Sequence, residues 1–136
     1  MKIKLELPIY QTLETGRGKS KKNKNMLMSL NWYRNAHYQT ECKMKHIYTD
    51  LVKTRLKCVK QCLKGNIRVS YNLYYKNSRM DLMNVISIID KYLMDALQEM
   101  KIIENDNVKN YIECVSRVAG EDRANPRVEI IVEELQ

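Results

Sequence analysis

A chain of 136 residues has room for one domain, 1–136, and little for a second. With 44% hydrophobic and 29% charged residues it can bury one core as a soluble protein, and no apolar run approaches the roughly 20 residues of a membrane helix. The formal net charge of +8 favours a polyanionic partner without naming it, because Lys and Arg displace counterions from a phosphate backbone.

The opening "MKIKLELPIY" lacks the apolar stretch of a signal peptide, which points to an intracellular, cytoplasmic protein with no membrane attachment. Within it, Ile3, Leu5 and Leu7 alternate with Lys2, Lys4 and Glu6, a half-buried strand over 2–9 stopped at Pro8. The segment 14–28 reads as a flexible basic loop, since "ETGRGKSKKNKN" is rich in Gly, Lys and Asn without apolar periodicity. Its "GKS" resembles the tail of a nucleotide-binding loop. The first glycine of that motif is Leu13 here and no apolar helix follows, so a nucleotide cofactor is rejected. Arg17, Lys19, Lys21, Lys22 and Lys24 remain as cations on a tether, able to lie along phosphates or simply solvated.

From about Trp32 to Leu63, apolar residues recur at three- and four-residue steps and predict one helix stopped by Gly65. Lys53, Lys57, Lys60 and Lys64 form its opposite face, which a solvated surface explains more simply than a nucleic-acid track. "IRVSYNLYY" (67–75) alternates as a strand, where Tyr71, Tyr74 and Tyr75 are sheet packing more readily than base-stacking platforms. A second helix follows, with Asp81 at its N-cap and Leu82, Val85, Ile86, Ile89, Leu93, Leu97 and Met100 as its buried face. It frays near Ile102, and residues 104–107 form a turn. Strands over 110–120 and 126–135 close the chain, with a hairpin plausible between them.

The expected fold is therefore α/β (α+β): a single mixed sheet of about four strands with two packed helices, in the order β-α-β-α-β-β. Cys42, Cys58, Cys62 and Cys114 lack zinc-ligand spacing and read as reduced thiols.

The second helix carries more charge than a core helix needs. On ideal geometry, Asp81, Asn84, Lys91 and Asp95 fall within about 80° of one another. An N-cap and a surface ion pair account for them structurally. The functional reading is a divalent-metal site at a strand-to-helix junction, with Glu104 to Asp106 folding back from the next turn. Carboxylates suit magnesium, which polarises a phosphate and activates water, while a lysine offsets the charge that develops.

These residues also resemble a known family. Asp81, Asn84, the "KYLMDAL" run from Lys91 to Leu97, and an acid at Asp106 are similar to the RusA-type Holliday-junction resolvases, small endonucleases of phages and prophages. "SLNWYRNAHY" (29–38) resembles the family's opening motif, and "NPRVEIIVEEL" its last strand. The resemblance implies a homodimer that binds four-way DNA junctions and nicks paired strands in a bacterial host. It also implies magnesium, with manganese as the alternative, and Asp81, Lys91 and Asp106 as catalytic residues. Metal ligands would come from Asp81, Asp90, Asp95 and Asp106, and DNA contacts from the 17–24 cations and Arg34. Met83 and Asn105 stand where the family has acids, and four extra residues before Lys91 introduce Asp90. Either Asp90 or Asp95 would replace the ligand lost at Met83, although Asp81 and Asp90 lie on opposite faces of an ideal helix. A junction-binding protein without cleavage and a basic RNA-binding or assembly protein are the alternatives.

Overall fold

The computed structural model describes residues 1–135. The fold is mixed α and β. Its elements are β1 (Lys2–Pro8), β2 (Tyr10–Thr15), β3 (Lys22–Leu27), α1 (Leu30–Asn35), α2 (Tyr38–Arg55), β4 (Asn66–Tyr75), α3 (Leu82–Glu99), β5 (Tyr111–Glu121) and β6 (Arg127–Leu135). A four-stranded sheet runs β1-β6-β4-β5, and β2 and β3 form a separate two-stranded ribbon.

Within the main sheet, β6 is antiparallel to both β1 and β4, whereas β5 runs parallel to β4. Strand alternation sets the core face: Ile67, Val69, Tyr71 and Leu73 of β4 are all buried, as are Val128, Ile130 and Val132 of β6. The opposite face is polar, and Arg68 of β4 ties it together by pairing with Glu133 of β6 and, at 3.2 Å, with Glu113 of β5. Helix α3 buries Val85, Ile86, Ile88, Ile89, Tyr92, Leu93, Met94, Ala96 and Leu97, a wider surface than one stripe. It packs on the sheet and also against α1 and α2. Tyr48 of α2 stacks on Tyr92 of α3 at 5.4 Å and donates to the Pro8 carbonyl, joining both helices to β1.

Three sequence expectations need correction. The loop 14–28 is instead largely the β2–β3 hairpin, paired from Tyr10↔Leu27 to Thr15↔Lys22. Its turn depends on glycine at Gly16, where φ is +93° and a Cβ would lie 2.5 Å from the Ser20 carbonyl oxygen. Few of its side chains reach the core, so the ribbon shows no apolar alternation.

The long helix from Trp32 is two helices. Ser29 caps α1 by accepting from the Trp32 amide at 3.2 Å, Ala36 is extended, and the His37 ring caps α2. Helix α2 ends at Arg55. Leu63 continued the apolar spacing because it is buried, but it lies beyond the helix in a bridge to Ile103.

Finally, β5 and β6 do not form a hairpin, because β4 lies between them. The observed order thus adds a hairpin and one helix to the expected β-α-β-α-β-β. No helix among the described residues is long and apolar enough to cross a membrane.

Candidate carboxylate site

Tyr71 sits mid-strand on the core face of β4, wholly buried, so its hydroxyl needs an acceptor. Asp90 supplies it from the sheet-facing side of α3. The same Asp90 oxygen, Oδ1, also accepts from the Tyr111 hydroxyl of β5 at 2.8 Å. Two strands and a helix therefore fix one carboxylate. Its other oxygen, Oδ2, accepts no hydrogen bond among the described residues. The carboxylate borders a shallow depression shared with Tyr111, Ile112, Glu113 and Cys114.

Burial pushes the Asp90 carboxyl above the usual aspartate range; the two tyrosine hydrogen bonds pull it down, and the negative field of Asp106 adds to the rise. Asp106 is exposed in the turn after α3, which folds back far enough for its charge to be felt at Asp90.

The structure takes the other predicted residues elsewhere. Lys91 and Asp95 face α2, with the Lys91 ammonium 3.4 Å and the Lys45 ammonium 3.5 Å from Asp95 Oδ2. Burial lowers the Lys91 pKa, but the fields of Asp95, Tyr33 and Glu41 outweigh it and the net shift is upward. Asn84 accepts from the Leu30 amide at 3.2 Å, holding the start of α1. Asp81 occupies the N-cap position of α3, exposed, and its side chain makes no hydrogen bond or ion pair among the described residues. Nine residues separate it from Asp90, about 13 Å of helix and a half-turn of rotation. Among the described residues, no three His, Cys, Asp or Glu side chains form a group that could hold a metal ion.

The cations fall on exposed surface. Arg17 and Lys19 lie in the hairpin turn, Lys22 and Lys24 on β3, and Arg34 in the last turn of α1. Lys21 alone among these six forms an ion pair within the described residues, with Glu14 at 3.3 Å. Between the hairpin and α1 runs a groove of about 530 Å³ whose lining includes Lys24, Asn25, Trp32 and Asn35.

Sequence reasoning missed both tyrosines of the site. The available signal was Asp90 itself: it follows Ile86 by four residues and precedes Leu93 by three, placing an acid on the apolar face. An acid there needs donors, and tyrosines on adjoining strands are suited to provide them.

No protein-family model matches the chain, and no curated protein matches it.

Proposed function

We propose that this protein is a metal-dependent, structure-selective DNA endonuclease that acts on four-way junctions as a homodimer, in the manner of the RusA-type enzymes it resembles. The single observation that carries the reading is Asp90: one oxygen is anchored by Tyr71 and Tyr111, the other accepts no hydrogen bond among the described residues, and the negative field of a second carboxylate, Asp106, reaches it. Two hard oxygen donors are enough for magnesium when water and phosphate complete its shell. Asp90 and Asp106 would hold the ion, which when bound supplies electrophilic activation of a phosphate.

The chain's own residues do the remaining work. Tyr71 and Tyr111 fix the orientation of the Asp90 carboxylate, so no rotamer search accompanies metal capture. Asp95 pairs with Lys91 on the side of α3 that meets α2, so Lys91 is not assigned to the metal pair. Arg17, Lys19, Lys22, Lys24 and Arg34 offer phosphate contacts that position the DNA without reading its sequence. In this assignment Asp90 replaces the ligand missing at Met83, and Asp81 stands outside the metal pair.

A second reading, a junction-binding protein that does not cut, is favoured by Met83, which is 52% exposed where the resemblance requires an acid. Incubating a labelled four-way junction with and without magnesium separates the two. Symmetric nicked product that depends on magnesium supports the nuclease; a shifted complex with intact strands leaves only binding.

A further inference from the structure

The two edges of the main sheet differ. At β1 the edge carries Lys2, Lys4 and Pro8, features that discourage pairing with another chain. At β5 an eleven-residue strand has its outer backbone groups unpaired by any other strand among the described residues. Apolar side chains are exposed there: Ile112 is 50% and Val118 53% accessible. Pairing with β4 is regular from Glu113 to Val118, interrupted by bulges on either side. A long, exposed apolar edge is a site for adding a strand.

The sequence of β5 specifies which strand. In a two-fold antiparallel pair, opposed residues share a face, so only registers centred on a residue are allowed. Centring on Val115 sets Glu113 opposite the partner's Arg117 and Cys114 opposite the partner's Ser116, and brings Ile112, at the bulge, toward the end of the partner's regular stretch at Val118. Each pairing occurs twice. Charge meets opposite charge and apolar approaches apolar. Centring on Val115 is the register that opposes Glu113 and Arg117; centring on Arg117 would oppose Arg117 to itself and Glu113 to Glu121. Arg117 makes no ion pair within the described residues of its own chain, and Glu113 has an Arg68 contact on the other side.

We propose that β5 pairs antiparallel with β5 of a second copy of this chain about Val115, joining two four-stranded sheets into one of eight. The two-fold axis stands perpendicular to the sheet, so both helical layers lie on one side. Tyr111, which holds Asp90, then falls near the partner's Ala119. The eight positions from 111 to 119 separate the two carboxylate sites by about 26 Å along the strands at ~3.3 Å per residue. This supplies the surface for the homodimer of the proposed function and rests on that reading only for its purpose.

Sedimentation equilibrium of the full chain, without DNA or metal, tests it. The unaltered protein should dimerise. Arg117→Glu and Glu113→Arg, each placing like charges opposite one another twice, should weaken association by on the order of tenfold or more. The double exchange Glu113→Arg with Arg117→Glu should restore it. A monomer at every concentration, or a dimer equally tight in both single variants, overturns the interface. Thermal melting checks the fold of each variant. Should Glu113→Arg unfold through loss of Arg68, Arg117→Glu and Ile112→Lys decide the matter. Junction nicking is read in its own assay, so loss of this interface and loss of the nuclease reading are distinguishable.

Discussion

Tyr111 of β5 donates a 2.8 Å hydrogen bond to Asp90 of α3, and this contact joins the edge strand to the helix while orienting a largely buried carboxylate. Tyr111→Phe removes the donor and keeps the ring. The Asp90 pKa should then rise further, since a hydrogen bond that favours the charged form is lost. NMR titration of the Asp90 side-chain carboxyl checks this; an unchanged or lower pKa would show that the bond does not stabilise the ionised form.

Asp90 itself should affect stability in a pH-dependent way. Its folded pKa lies above its unfolded value, so the stability it contributes is full below the ordinary aspartate range. That stability is lost as pH rises through the folded pKa. Asp90→Asn, neutral at all pH, should therefore melt higher than the unaltered protein at pH 7. The difference should close on acidification. Melting curves across pH 3 to 8 read both signs.

Magnesium should act on the same group. Ion binding to the folded state raises the melting temperature by mass action, and it requires Asp90 ionised. The magnesium-induced rise should be present at pH 7, shrink toward acid pH, and disappear in Asp90→Asn and in Asp106→Asn. Asp81→Asn should retain it. A rise that survives Asp90→Asn but not Asp81→Asn would move the ion to the start of α3.

The hairpin cations should appear in salt dependence. If Lys22 and Lys24 each neutralise one phosphate, replacing both with Ala should lower the magnitude of the log–log salt slope of junction binding by about 1.8, at roughly 0.9 per phosphate. Fluorescence anisotropy over a salt series measures it. An unchanged slope would return both residues to solvent.

Tyr48→Phe tests the packing that unites the helices with β1. The ring remains against Tyr92, but the hydrogen bond to the partly buried Pro8 carbonyl is lost, a cost of about 0.5–1.5 kcal/mol. Urea denaturation should show a lower midpoint with an unchanged slope.

The strands were legible where one side faces the core. Ile3, Leu5 and Leu7 of β1, the β4 alternation and Val128, Ile130 and Val132 of β6 all announce a period of two, and α3 announces its helix equally well. The β2–β3 ribbon was not legible, since solvation leaves its composition looking like a loop. The end of α2 was hidden for the opposite reason: Leu63 reaches the core from outside a helix and extends the apparent spacing. At the site, the sequence showed the acids but not their sorting. Asp90 turns to Tyr71 and Tyr111 of the sheet, while Lys91 and Asp95 turn to α2, and that division depends on which neighbour each face of α3 meets.

The position of β6 governs how this protein is made. It fills the slot between β1 and β4, so β1 has no strand partner, and β4 has only β5, until residues 127–135 have been synthesised. A nascent chain on the ribosome can wind α2 and α3 early but must keep the apolar side of β1 waiting throughout. Assembly of the sheet is consequently a late, long-range event, and folding should be slow for a chain of this length.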